Sequence, residues 1–416
     1  MIIAVLEYSL QILMATVLRW VYIHAMETLN EVRNRYYKEL TENIMPFWLE
    51  HGLDRKNGGI WTSLDRDGSL IETDKSVWFQ GRALWVFSTA YLKFGKKEYL
   101  EAADNIVGFI DKHCFDTDGR MFFRVTADGR PVIKRIRYFF SETFAIIGYA
   151  SYGRASGKTE YVAKAAELYE RTKAIRDTPG ILTPKFDSAV RPMRGHADSM
   201  IMINVISELR EASEGCREYF NAEIDREIET CIKYFIRPDM KTVLETVGPD
   251  GEFLSEHFEG RIVNPGHAIE GSWFIMNEGL KRGNEEYIKI GLDVLSWMWD
   301  AGWDDEYGGG IIQYRDALGK SLSEYHQDMK FWWPQCEAVI SNLMAYSITH
   351  DDVYLEHFKM VDEYISKHFI DREYGEWFGY FHRDGTLATA LKGNLYKGPF
   401  HIPRMYMKAI EIIDSL

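Results

Sequence analysis

Six stretches of this chain set a polar or charged cluster at what reads as a helix start, just after a turn rich in glycine and aromatics. They are WFQGRALW (Gln80, Arg82), YFFSETFA (Ser141, Glu142), MRGHADSM (His196, Asp198), NPGHAIEG (His267, Glu270), WWPQCEAV (Gln335, Glu337) and GPFHIPRM (His401, Arg404). Helix starts carry unpaired N–H groups and the positive end of the helix dipole. Gathered at one mouth, they would line a pocket for an oxygen-rich, partly anionic ligand such as a sugar. His267 and His401 suit proton transfer, because imidazole titrates near neutral pH. On opposite faces of a carbon next to a carbonyl, one ring removes a proton and the other returns one. That inverts the stereocentre through an enediolate. Arg82 and Arg404 supply the fixed positive charge that an enediolate oxygen requires.

Each of these residues has a plainer reading. A lone histidine near a helix start is usually structural, and a glutamate there usually complements the dipole or closes a capping box. Recurrence at one position in successive repeats argues for function at His267, His401, Glu337, Arg82 and Arg404, with His196 and Glu270 as candidates for substrate binding. Glu142 reads as structural. No HExxH, aspartate cluster or phosphate loop occurs, which points away from metal-dependent and phosphoryl chemistry. A glycoside hydrolase would need two flanking carboxylates, for which Glu270 and Glu337 could be offered, but both histidines and both arginines would then be unexplained. A catalytically silent sugar-binding protein is a further rival.

These side chains need a scaffold that repeats. Strand-like turns bearing glycine recur near residues 57, 118, 182, 247, 307 and 374, about 60 to 67 residues apart, a spacing that signals a repeat architecture. Several hold DG or GG between alternating apolar residues, the mark of a hairpin; the turn near 182 is the weakest match. Between turns lie two helical segments. The one before each turn is amphipathic and reads as outer; the one after is apolar all round and reads as inner. Six such pairs could stack as an open solenoid, whose terminal repeats become polar caps. The last inner segment, GPFHIPRMYMKAIEIIDSL, is instead rich in functional groups, so the ring is expected to close. The fold class is all-α, an (α/α)6 barrel with short β-hairpins on the active-site face.

Composition bounds the rest. The 416 residues are 46% hydrophobic and 14% aromatic, with a formal net charge of -14. A large core is affordable in this length, and nucleic acid and anionic membranes are poor partners for so acidic a chain. Cys114, Cys216, Cys231 and Cys336 form no CxxC pair or Cys/His cluster, which fits reduced thiols in the cytoplasm. Residues 1–25 are apolar, interrupted by Glu7, Gln11 and Arg19. They fit neither a signal peptide nor a spanning helix well. They read as an extension ahead of a single domain over 26–416, with a membrane anchor as the alternative.

At WFQGR, NPGHAIE, MKFWWPQCEA, YGEWFGYFHRDG and LKGNLYKGPFHIPR the chain resembles the N-acylglucosamine 2-epimerase family, from about Met26 onward. The resemblance implies the same barrel and interconversion of N-acetylglucosamine and N-acetylmannosamine at C2. It implies that Arg82 is the essential arginine holding the enediolate oxygen, that His267 and His401 are the acid/base pair, and that Glu337 and Arg404 orient substrate or histidines. Trp332 and Trp377 become candidates to stack on the sugar. It implies no required cofactor, ATP as a possible allosteric activator, and a homodimer. Related members epimerise cellobiose or mannose, or isomerise aldoses to ketoses, and His196 stands where cellobiose-type enzymes also tend to place a histidine.

Overall fold

The computed structural model describes residues 29–136 and 139–416; the apolar extension at 1–25, with its anchor alternative, lies outside them. Among the described residues, twelve long helices follow in six pairs. The outer helices are α1 (residues 29–52), α3 (Lys97–His113), α5 (Thr159–Asp177), α7 (Arg217–Tyr234), α9 (Glu285–Gly302) and α11 (Asp352–His368). The inner ones are α2 (Val77–Phe94), α4 (Phe140–Ser156), α6 (His196–Ala212), α8 (Pro265–Arg282), α10 (Trp332–Thr349) and α12 (His401–Ser415). In α1 the helix loosens into π-helical turns at Glu39–Ile44 and Trp48–Gly52.

Patterning explains which helices go inside. α11 buries Leu355, Phe358, Val361, Tyr364 and Ile365, a stripe at three- and four-residue spacing that faces one neighbour. α10 is buried at every position from Trp332 to Tyr346, as an inner helix must be. Each inner helix packs on the next, and α12 packs on both α10 and α2, so the ring closes as expected. Arg33 of α1 meets Asp414 of α12 at 2.9 Å, and the rings of Tyr36 and Tyr406 meet edge-on at 5.0 Å. At Gly81 a Cβ would lie 2.5 Å from the Phe144 carbonyl carbon, so only glycine lets α2 and α4 approach this closely. No helix among the described residues is long and apolar enough to cross a membrane.

The hairpins do more than connect. The two-residue strand before α2 (β1, Lys75–Ser76) pairs with a strand of the following connection (β2, Arg124–Val125). The same happens ahead of α6 (β3, Arg194–Gly195, with β4, Thr246–Val247), α8 (β5, Ile262–Val263, with β6, Arg315–Asp316) and α10 (β7, Met329–Phe331, with β8, Tyr380–His382). A bridge between Leu64 and Gly393 closes the circuit ahead of α12. Every described seam thus joins the start of one inner helix to the hairpin of the next pair. The turn near 182 departs from expectation: 178–193 contains no strand, only successive turns. Its sequence lacks the DG or GG that the other turns use to reverse direction.

Two polar residues at helix starts serve these hairpins rather than a pocket. Ile60 N–H donates to Gln80 Oε1 at 2.8 Å, and Gln80 Nε2 donates back to the Ile60 and Ser76 carbonyls. Gln335 repeats the pattern with Ile311 and Phe331. Buried lysines pin the same connections: Lys75 to Asp54 at 2.7 Å, Lys330 to Asp304 at 3.1 Å and Lys392 to Asp371 at 2.9 Å. Replacing Gln335 by alanine strands a buried N–H and a buried carbonyl, each costing about 1–3 kcal/mol. Gln335→Ala is therefore expected to lose on the order of 3 kcal/mol in urea unfolding while keeping its helical circular dichroism.

Candidate active site

Helix starts deliver the site, as the spacing of the motifs suggests. Pro265 opens α8, and the Asn264 side chain accepts the His267 N–H at 3.2 Å. This cap fixes the first turn and leaves His267 and Glu270 on one face. α12 opens at His401 and carries Arg404 one turn later. α10 brings Trp332, Trp333 and Glu337, and α2 brings Arg82.

His401, Arg404, Glu270 and Glu337 form one buried network. Glu337 Oε1 accepts from His401 Nδ1 at 2.8 Å and from Arg404 Nη2 at 2.7 Å. Glu337 Oε2 accepts from the Trp273 indole N–H at 2.8 Å. The same Arg404 Nη2 donates to Glu270 Oε1. Ligand atoms of Glu270, Glu337 and His401 lie within 4.8 Å of one another, a grouping able to hold a cation. The Arg404 guanidinium already touches all three, so the positive charge there is a side chain. Accepting at Nδ1–H, Glu337 sets the His401 tautomer and leaves Nε2 with a lone pair.

His267 has its own carboxylate. Its Nδ1 lies 3.0 and 3.1 Å from the two oxygens of Glu245, a residue the sequence reading did not single out. Glu245 stands in VLETVG, a hairpin stretch where nothing but recurrence of acidic residues near turns could have flagged it. Trp333, also missed, touches both imidazoles, with ring centroids 5.0 Å from His267 and 5.9 Å from His401. The two histidines therefore converge on one indole.

Their environments differ in sign. For His267, desolvation favours the neutral form, but the charge and hydrogen bond of Glu245 outweigh it, with Glu270 and Glu337 adding, so its pKa is raised. For His401, desolvation is reinforced by Arg404, Arg82 and His267 and only partly opposed by Glu270, so its pKa falls well below the ordinary value. The proton affinities of the two rings are thus pushed apart, His267 toward the imidazolium and His401 toward the neutral imidazole.

Arg82 differs from Arg404 in having no carboxylate partner among the described residues. It is half-buried, its guanidinium lies 4.0 Å from the Phe144 ring centroid and 5.0 Å from that of Phe400, and Nη1 reaches only the Tyr396 carbonyl at 3.4 Å. Its Nε is buried with no hydrogen-bond partner. Desolvation lowers its pKa to about 9, which leaves it protonated at neutral pH.

The remaining candidates fall in different places. His196 is buried beside the Phe235 ring at 5.4 Å, and desolvation lowers its pKa to about 4. It feels the charges of Glu245 and His267, so it belongs to the same cluster. Trp332 is buried against Tyr380 and the edge of His401. Trp377 is 0% exposed and packs on Phe369 and Tyr406, which makes it a core residue with no face for a sugar. Glu142 holds the Met121 N–H and Arg120, the structural role expected of it.

The model of the N-acylglucosamine 2-epimerase (GlcNAc 2-epimerase) family fits residues 58–398. The chain is 35% identical to an N-acylglucosamine 2-epimerase of Bos taurus over 94% of this chain and 93% of the relative. It is 28% identical to a cellobiose 2-epimerase of Ruminococcus albus over 90% of this chain and 97% of that protein. The solved cellobiose 2-epimerase of Bacillus thermoamylovorans superposes with a TM-score of 0.81 at 22% identity, over 92% of this chain and 99% of that one, a likeness of fold.

Removing one partner from a buried ionic network leaves charge uncompensated, at about 3–5 kcal/mol. Arg404→Met is expected to lose on the order of that amount in urea unfolding, and Arg404→Lys to recover part of it.

Proposed function

The chain belongs to the N-acylglucosamine 2-epimerase family, and from that premise we propose that it interconverts N-acetylglucosamine and N-acetylmannosamine by moving protons at C2. The observation that carries the reading is the pair of imidazoles on one indole, one poised to accept a proton and one to give it. In the open-chain sugar, C2 stands next to the C1 aldehyde. His401 Nε2 takes the C2 proton, and the electron pair of that C–H bond becomes the C1–C2 double bond of an enolate while the carbonyl pair moves to O1. Arg82, with no carboxylate partner among the described residues, offers its free donors to that oxygen. His267 then delivers its proton to the opposite face of C2, and the O1 pair re-forms the aldehyde. Carbon connectivity is unchanged and no electrons are gained or lost.

Glycoside hydrolysis fits this site poorly. Its two carboxylates must flank the bond to be cut, with one free to give a proton. Glu270 and Glu337 instead share one guanidinium nitrogen, so both are tied to Arg404 and not set on either side of a bond. The sugar preference is read from the amino-sugar relatives at higher identity than the cellobiose ones. The four cysteines are unpaired, which suits work in a reducing cytoplasm.

Incubation with N-acetylglucosamine in deuterated water is expected to yield N-acetylmannosamine carrying deuterium at C2. Greater exchange with cellobiose or mannose would reassign the substrate, a ketose product would make the chain an isomerase, and cleavage without exchange would reject the reading. His401→Asn is expected to slow exchange on the order of 10²-fold or more, the contribution of general acid/base catalysis. The pH–rate profile is expected to be bell-shaped. Activity falls on the acid side as His401 takes a proton below its depressed pKa, and on the alkaline side as His267 loses one above its raised pKa.

A further inference from the structure

The Glu245 carboxylate is unlike the others near the site. Among the described residues it makes no ion pair with an arginine, and its side-chain bonds go to His267 Nδ1, one from each oxygen. Its backbone is held twice: its N–H donates to the Ile262 carbonyl at 3.0 Å, and its carbonyl accepts the His196 N–H at 3.0 Å. These two bonds fix it between the strand that leads into α8 and the start of α6. The site's own hairpin thus aims the carboxylate at the ring, much as Glu337 is aimed at His401 from the helix interior.

We propose that Glu245 is a positioning residue for His267, binding Nδ1–H so that the ring is held with Nε2 turned to the substrate carbon. The proposal rests on the epimerase reading above. Both oxygens of Glu245 sit at hydrogen-bond distance from one nitrogen, so the ring is anchored against rotation about its Cβ–Cγ bond. Nδ1 keeps a proton in both charge states, and only Nε2 gains and loses one as the reaction turns over. The groups facing His267 from its neighbours are Glu245, Glu270 and Glu337, which favour the imidazolium, and His196 and His401 across the cluster. Glu337 and Glu270 are neutralised in part by Arg404. Glu245 answers chiefly to His267 and His196 and, at longer range, to Lys185 and Asp198. Of the three carboxylates it is therefore the one free to hold the proton on His267. The result is a division of labour between two Glu–His pairs. One pair shares its carboxylate with an arginine and yields a base; the other does not and yields an acid.

The test compares Glu245→Gln and Glu245→Asp with the unaltered protein by two readouts. The first is C2 proton exchange on N-acetylglucosamine across pH. The second needs no sugar: 15N chemical shifts of the His267 ring, assigned by their loss in His267→Asn. In the unaltered protein Nδ1 is expected to stay protonated while Nε2 titrates. In Glu245→Gln the Nε2 titration and the alkaline limb of the profile are both expected to move down by about one pH unit or more, as loss of an adjacent charge requires. Exchange is expected to slow about tenfold to a hundredfold, the usual effect of removing an orienting partner. Glu245→Asp keeps the charge and is expected to restore the limb and part of the rate. An Nδ1 found unprotonated in the unaltered protein overturns the proposal, as does a Glu245→Gln protein with unchanged titration and unchanged alkaline limb. Absence of exchange on any sugar by the unaltered protein would instead strike the epimerase reading, whatever the 15N shifts show.

Discussion

One guanidinium organises the centre of this molecule. Arg404 reaches from α12 to Glu270 of α8 and Glu337 of α10, and Glu337 in turn holds His401 and the Trp273 indole. Three inner helices thus meet on a single buried cation. Charges at this depth persist only when paired and hydrogen-bonded. Once Arg404 enters, both carboxylates are held pointing inward. Once Glu337 is fixed, the tautomer of His401 is fixed with it. That one placement ties α12 to its neighbours in the ring and adds to the desolvation that lowers the proton affinity of His401.

The second arginine shows the complementary choice. Arg82 sits on aromatic faces, Phe144 and Phe400, which accept a cation without consuming its N–H donors. Phe400 also lies 4.7 Å under Arg404, so one ring stands between an arginine paired with carboxylates and one without. The close approach of α2 to α4 at Gly81 is what brings Phe144 under Arg82. Here packing, not ion pairing, decides which positive charge is left for a ligand.

Much of this was legible in the sequence, and the gaps have physical causes. Spacing of turns gave the six pairs, and apolar periodicity separated α10 from α11. NPGHAIE announced its own helix start, because Pro265 and Asn264 act locally. What local pattern could not convey was partnership across repeats. Gln80 and Gln335 occupy the same recurring position as the histidines, yet their amides reach sideways to a hairpin rather than into the mouth. Glu245 and Trp333 acquire meaning only because His267 arrives from elsewhere in the chain. Trp377 sits in a motif full of aromatics, and nothing in its neighbours' identities says that Phe369 and Tyr406 will enclose it. The turn near 182 kept the repeat's length without its strand, since length follows from the helices and a hairpin needs specific turn residues.

The stitched rim constrains how a protein of this kind can change. A strand that leads into one inner helix is bonded to a hairpin belonging to the next pair, so an insertion within the paired residues would displace a neighbour's first turn and the side chain it carries. The tips at 67–69, 128–130 and 384–386 lie beyond the residues paired across the seams and bear no such burden. Diversity in what is grasped is thereby channelled into a few free corners, while the spacing of the reacting groups is inherited whole.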